Sequence, residues 1–428
     1  MLKIIKKFFS RKAKPCGKKG PLLPQKAISQ NVSKIIQRLN AHGFQAYLVG
    51  GGVRDLLLGM KPKDFDIATN ARPEELRRLF KNCRLIGRRF RLAHIYFHNE
   101  VIEVATFRAQ SEDLSEAQQH SDQGILLRDN VYGSLEEDTW RRDFTINALY
   151  YDPLTDNLID LTDGFTDLQH KQIRIIGEPV SRYREDPLRL LRAIRFAAKL
   201  DFQIETQTAQ PFAASRELLQ HVSSARLFDE IVKLFFTGHA VAAYHKLMHY
   251  DFFSLLFAQT ARAQTQDPVF AQMLLEALRN TDSRIHGEQS INPAFLFAVF
   301  LWEPYQQKLK TSDDSAENPY QARQLVMDSV IRQQLQTMLI PKRLTTITKE
   351  IWELQEKLPQ RYGRYPEETL ERERFRAGYD FLLLRAKYDP SLQELADWWA
   401  GFQNAAHLDR QDMIAKFTKP KKRQRRKK

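Results

Sequence analysis

The sequence predicts an α+β fold, with a mixed α/β head near the N-terminus followed by an all-helical neck and body. Three observations predict it. Short apolar runs of strand character at 47–49, 93–97 and 101–106 fall in the first quarter of the chain, each stopped by glycine or polar residues. From about residue 204 onward the apolar spacing is helical. At 428 residues, with 43% hydrophobic and 11% aromatic content, the chain has material for more than one packed domain.

In chain order, Val32, Ile35, Ile36 and Leu39 share one helical face, and Gly43 ends that helix. The stretch 47–70, YLVGGGVRDLLLGMKPKDFDIATN, organises the head. A buried strand at 47–49 breaks at Gly50, Gly51 and Gly52 and resumes as a short helix through Arg54 and Asp55. Such a strand, glycine turn and helix start can face backbone N–H groups toward phosphate. On a strand, Asp64 and Asp66 would point one way and Phe65 into the core. Two carboxylates side by side repel unless a cation lies between them, and Mg²⁺ is commonly held by one or two carboxylates plus substrate phosphates. Cradle and carboxylate pair together point to nucleotidyl transfer with two metals. A lone triple glycine or a lone D-x-D on a solvated loop would carry neither conclusion.

Residues 73–80 read as a helix with Glu74 and Glu75 at its start and Thr69 or Asn70 as its cap. Residues 93–97 and 101–106 read as a hairpin. Glu103 lies inside the second strand, where a carboxylate is costly unless paired with Arg88, Arg89 or Arg91 or bound to metal. Gly87 to His94, GRRFRLAH, supplies either a solvated basic face or charge neutralisation for a triphosphate or an RNA end. The polar stretch 111–124 reads as a mobile loop. In EEDTWRRDFTIN, residues 136–147, Arg141 and Arg142 offer forked donors for phosphate, and Asp143 suits metal, a ribose hydroxyl or an arginine. In YREDPLRLLRAIRFAAKL, residues 183–200, Pro187 suits a first helical turn, with Glu185 and Asp186 at its positive end. Arg189, Arg192 and Arg195 recur along one flank of that helix, and a salt-bridged helix start, Asp186 to Arg189, is the plain structural alternative. Helices are expected at 227–236, 241–256, 270–278, 293–302 and 347–358.

The net charge of +14 sits in the tails. Residues 1–26 and 416–428 each carry nine Lys or Arg and no acid, so the remainder is slightly acidic. Such arms attract nucleic acid by counterion release. Ile4, Ile5, Phe8 and Phe9 also allow a membrane-surface helix, a peripheral contact weighed against an RNA-attracting or solubilising arm. Cys16 and Cys83, without C-x-x-C, point to a reducing, cytoplasmic setting and away from structural zinc. No run approaches the ~20 apolar residues of a membrane span.

L-V-G-G-x-V-R-D at 48–55, D-x-D at 64–66, R-R-D-F-T-x-N at 141–147 and E-D-x-x-R at 185–189 together resemble the class II nucleotidyltransferases, the family of tRNA CCA-adding enzymes and bacterial poly(A) polymerases. The resemblance runs from about residue 30 to 400, and GRRFRLAH, NPAFLF at 292–297 and IPKRL at 340–344 resemble the poly(A) polymerase branch. It implies a polymerase β-like nucleotidyltransferase head that adds AMP from ATP to RNA 3′ ends without a template. Pyrophosphate is released by a two-metal mechanism with Mg²⁺, or Mn²⁺, and the tail marks RNA for decay. By this resemblance Asp64 and Asp66 hold metal, with Glu103 or Asp143 as a third carboxylate. Gly50, Gly51, Arg54, Asp55, Arg141 and Arg142 serve the nucleotide phosphates. Asp186 and Arg189 read adenine, Glu185 orients the arginine, and Arg192 and Arg195 make further nucleotide or RNA contacts. The implied division is an arm at 1–28, head at 29–178, neck at 179–240, RNA-binding body at 241–408 and tail at 409–428. The chain is expected to be a monomer that meets RNA-decay machinery.

A CCA-adding enzyme shares the head motifs and stays as the alternative. None of the 11 histidines is followed by Asp, so the HD phosphohydrolase site of some CCA-adding enzymes is absent. A non-catalytic RNA-binding protein or nucleotide sensor would be expected to have lost some of these carboxylates and arginines.

Overall fold

The computed structural model describes residues 23–87, 91–109, 118–120, 126–129, 131–311 and 319–417. The arm at 1–22, Arg88, Arg89 and the tail at 418–428 lie outside the described residues. Two compact units divide the chain, Met1–His221 and Val222–Lys428. The division falls inside the stretch 179–240 read above as one neck.

The first unit is built on seven strands. They are β1 (Ala46–Val49), β2 (Asp66–Thr69), β3 (Cys83–Ile86), β4 (Leu92–Tyr96), β5 (Val101–Thr106), β8 (Leu149–Asp152) and β9 (Asn157–Asp160). Strands β6 (Gln118–His120) and β7 (Leu126–Asp129) form a separate antiparallel ribbon, so part of the polar stretch read as a loop is a strand with a ladder partner. The main sheet runs β3-β4-β5-β2-β1-β8-β9. Its neighbours are antiparallel except β2 and β5, which are parallel. The expected hairpin is β4–β5, with Ala93 opposite Val104 and Ile95 opposite Ile102, all four buried.

Helix α1 (Gln30–Ala41) buries Val32, Ile35, Ile36 and Leu39, the four residues of the apolar face. Helix α2 (Gly51–Leu57) follows β1 through Gly50, whose φ of 75° suits glycine. Helix α3 (Pro73–Leu79) has a different start from the one expected. The Glu75 carboxylate accepts from the Arg72 N–H at 2.7 Å, while Asn70 accepts from the Gln45 N–H at 2.8 Å and Thr69 from the Ala71 N–H at 3.1 Å. Thr69 and Asn70 therefore tie the preceding turn, and Glu75 reaches back from inside the helix to cap it. Helix α4 (Leu135–Arg141) begins with a Ser134–Glu137 capping box. Helices α5 (Pro179–Glu185) and α6 (Leu188–Leu200) meet at Pro187, so Glu185 ends one helix instead of opening the next. Strands β10 (Gln172–Ile173) and β11 (Gln203–Ile204) pair in parallel beside them.

The described part of the second unit is helical. Pro293–Phe300, Lys342–Lys357 and Phe375–Ala386 carry its centre. The helix expected over 241–256 is two, Ala240–His249 and Phe253–Leu256, because Asp251 takes φ 57° between them. Trp352 is fully buried, donates its indole N–H to Ala298 O at 3.0 Å and stacks on Tyr305 at 5.0 Å. Trp352→Ala is expected to cost about 3–5 kcal/mol, since the cavity and the unpaired carbonyl add to the lost transfer energy. Urea unfolding would read this as a lower midpoint; a change under ~1 kcal/mol would mean the helices collapse into the space. Among the described residues no helix is long and apolar enough to cross a membrane.

Candidate active site

Asp66 opens β2, between two neighbours that define the site. Val49, the last residue of β1, is its partner on one side, and Glu103 of β5 is its partner on the other. The parallel β2–β5 register thus puts two carboxylates on adjacent strands. Asp64 is exposed and precedes the strand, so the alternation expected through 64–66 stops short. Phe65 is correspondingly half-buried instead of entering the core, and lies over Gly52, where a Cβ would come 3.3 Å from its ring. The pairing partners explain this, since β1 ends at Val49 and leaves Asp64 without a ladder neighbour. Burial, then Glu103, then Asp64 push the Asp66 carboxyl up to about 6, against the pull of Arg142.

A cavity of ≈ 260 Å³ opens here, lined by the carboxylates of Asp66, Glu103 and Asp138 and by Arg108, Arg141 and Arg142. The arginines are fixed by carboxylates and carbonyls. Arg142 donates to Asp138 Oδ2 at 3.0 Å and to the Tyr150 hydroxyl at 2.9 Å, and that hydroxyl donates to the same Asp138 oxygen at 2.6 Å. Asp138 also accepts the Arg108 backbone N–H at 3.2 Å. Arg141 donates to Ala109 O at 3.0 Å; burial and the nearby Arg108 and Arg182 lower its guanidinium to about 10. A Cβ at Gly50 would lie 3.5 Å from Arg142 Nη1, so the glycine turn borders the same cations.

Glu185 lies between two guanidiniums. Its Oε2 accepts from Arg182 at 2.5 Å and from Arg189 at 2.7 Å. Arg182 also donates to the carbonyls of Arg141 and Arg142, at 2.7 Å each. Arg189 is buried, and its side chain donates to Arg182 O at 2.9 Å, while its backbone N–H donates to Asp186 O at 3.0 Å.

Of the sequence-marked residues, Asp66, Glu103, Arg141 and Arg142 line the cavity and the others do not. Arg54 is 2% exposed and spends its guanidinium on Asp55 and Asn147. Asp143 accepts from Arg192 at 2.7 Å, from Asn147 at 3.1 Å and from the Phe144 N–H at 2.8 Å. Arg195 lies over the Phe196 ring at 4.3 Å. Glu103 has His94 Nε2 at 3.4 Å, while Arg91, one of its expected partners, pairs with Glu74. The motif reading left out Arg108, Asp138 and Arg182. The last two had a signal, since Asp138–Arg142 and Arg182–Glu185 are spaced as helical ion pairs; Arg108 had none.

The arrangement suits a cation by charge. Asp66 and Glu103 share one cavity with Arg108, Arg141 and Arg142, so groups of both signs border the same space. Among the described residues no three His, Cys, Asp or Glu side chains already converge on one metal position. A pair of carboxylates completed by substrate phosphates and water is the usual Mg²⁺ arrangement.

The family model for a poly A polymerase head domain matches residues 46–174. The model for a probable RNA and SrmB-binding site of polymerase A matches 201–264, and that for a polymerase A arginine-rich C-terminus matches 315–428. Poly(A) polymerase I of Salmonella typhi is 46% identical over 400 residues, covering 92% of this chain and 86% of the relative. The chain belongs to the poly(A) polymerase family. Similarity to the CCA-adding enzyme of Enterococcus faecalis, 41% identical, covers 207 residues and only 48% of either chain. In fold, this poly(A) polymerase family member resembles the Thermotoga maritima CCA-adding enzyme solved with tRNA, with a TM-score of 0.58 over 89% of this chain and 85% of that one, at 19% identity.

Proposed function

We propose that this chain is a template-independent poly(A) polymerase, adding AMP from ATP to RNA 3′ ends with release of pyrophosphate. The observation that carries the reading is the Asp66–Glu103 register pair lining one cavity with Arg108, Arg141 and Arg142. The 86% coverage of a poly(A) polymerase relative, against 48% of a CCA-adding enzyme, favours it over the CCA alternative.

Asp64, Asp66 and Glu103 would hold the metal ions. Mg²⁺ or Mn²⁺ bound there would acidify the RNA 3′-hydroxyl and neutralise charge on the triphosphate. Glu103 is the favoured third carboxylate because it lies beside Asp66, whereas Asp143 is engaged by Arg192 and Asn147. Arg141 and Arg142 bind the phosphates and stabilise charge on the departing pyrophosphate. Gly50 and Gly51 keep the turn open beside them. Arg54 and Asp55 brace that turn from within. Asp186 accepts from the adenine N6 amino group and Arg189 donates to N1, with Glu185 setting the arginine's direction. The head at 29–178 does the chemistry, the neck at 179–240 reads the base, and the body at 241–408 and the basic ends hold RNA.

Primer extension tests the reading. With Mg²⁺, generic RNA and ATP alone, a long ladder is expected; addition of C, C and A to a tRNA lacking its terminus, and nothing on generic RNA, would replace it with CCA addition. Deleting 416–428 removes nine cations, so RNA affinity is expected to fall and the slope of log K against log salt to flatten by several units. An unchanged slope would make the tail a bystander.

A further inference from the structure

One unbroken run of side-chain contacts leaves helix α6 and returns to it. Arg192 donates to Asp143 Oδ2 at 2.7 Å. The other Asp143 oxygen accepts from Asn147 Nδ2 at 3.1 Å, and Asn147 Oδ1 accepts from Arg54 at 2.6 Å. Arg54 donates twice to Asp55 Oδ1, at 2.8 and 2.6 Å, and Lys199 Nζ meets Asp55 Oδ2 at 3.4 Å. Arg192 and Lys199 both belong to α6, about two turns apart. The ring closes around Phe196, whose face carries Arg54 at 5.3 Å and Arg192 at 5.5 Å.

Asn147 is the joint. It is 7% exposed and uses both ends of its amide, as donor to a carboxylate and acceptor from a guanidinium. A carboxylate there would repel Asp143, an ammonium would repel Arg54, and an aliphatic group would strand both. The amide is the one side chain of this size that satisfies the two charged neighbours together.

The ring fastens α6, whose first turn carries Arg189, to α2, which leaves β1 next to Asp66. It therefore fixes the span from the base-reading guanidinium to the carboxylates. A purine and a pyrimidine differ in reach from the ribose to the pairing edge, so a fixed span discriminates where a loose one would adjust. We propose that Asn147 and Lys199 are positioning residues for nucleotide selection, acting through this ring; the proposal rests on the polymerase reading above. Neither touches the nucleotide, and each holds a group that carries α6 against the sheet.

The test uses the full chain with Mg²⁺ and generic RNA, measuring kcat/KM for ATP, GTP, CTP and UTP separately, with Tm recorded for each variant. Asn147→Ala is expected to lower the ATP-to-CTP ratio about tenfold, the scale of one charge-assisted hydrogen bond. Lys199→Met, at a partly exposed site that tolerates the change, is expected to lower it about threefold, and Lys199→Arg to restore it. A role confined to folding would reduce all four nucleotides alike. Equal losses with an unchanged ratio in Lys199→Met would overturn the proposal even if Asn147→Ala fails to fold. A wild-type chain with no preference for ATP would overturn the polymerase reading and the ring's role with it, whereas wild-type preference retained in both variants would overturn the ring alone.

Discussion

Asp66→Asn is expected to abolish nucleotide transfer, by about 10³-fold or more, while leaving RNA affinity within about twofold. The substitution keeps the side chain's shape and removes one negative charge from the cavity wall. A carboxamide has no net charge with which to hold a divalent cation against water, so metal binding and the acidified hydroxyl are lost together. Stability should move the other way. Asp66 is crowded by burial, by Glu103 and by Asp64, so the neutral isostere relieves a repulsion the fold otherwise carries. A gain on the order of 1 kcal/mol is expected in denaturant unfolding without metal. Lost activity with raised stability separates a functional carboxylate from a structural one. Near-normal extension of RNA by Asp66→Asn would remove the metal assignment, and a stability loss above ~2 kcal/mol would make Asp66 a fold residue. Asp64→Asn, at an exposed position, should lose transfer with a smaller gain in stability than Asp66→Asn, since Asp64 is the lesser of the charges crowding Asp66.

The strand, glycine turn and helix of residues 46–57 were legible because each is set by near neighbours: an apolar run, a positive φ that favours glycine, and a helical restart. The β4–β5 hairpin was legible for the same reason. The parallel pairing of β2 with β5 was not, since nothing within either strand specifies a partner some 35 residues away. Glu103 stood out only as a carboxylate in an apolar strand, and the pairing is what sets it beside Asp66. Asp143 shows the opposite limit. Its motif marked it as important, yet the chemistry of RRDFTIN left metal, ribose and arginine open, and a helix 49 residues on supplied the arginine. Arg54 was read outward, toward phosphate, because a guanidinium beside a glycine turn suggests it. Its burial follows from Asn147, 93 residues away, which no local pattern connects to it.

Glu185→Gln is expected to reduce ATP-dependent extension about 100-fold and to destabilise the first unit by about 3 kcal/mol. Glu185 compensates two guanidiniums, Arg182 and Arg189, each about 8% exposed. Burial, then Arg189, lower the Arg182 guanidinium to about 10, and Glu185 acts against both. Glutamine keeps a hydrogen-bond acceptor but not the charge, leaving two cations in a poorly solvated site. Acid titration gives a second readout. Burial raises the Glu185 carboxyl, but Arg189 and Arg182 outweigh it and hold it below its ordinary value. A carboxyl lowered in the folded state stabilises fully above its unfolded pKa, and that contribution is lost as pH falls toward the folded value. Wild-type stability should therefore drop on acidification below about pH 4.5, and Glu185→Gln should follow a shallower acid limb. ATP at saturating concentration should recover part of the lost Tm, because a ligand that binds only the folded state stabilises it. A variant with wild-type extension and an unchanged acid limb would show that Arg182 and Arg189 need no carboxylate between them. The reading of Glu185 as the residue that aims Arg189 would then fall, while the Asp66–Glu103 assignment would stand.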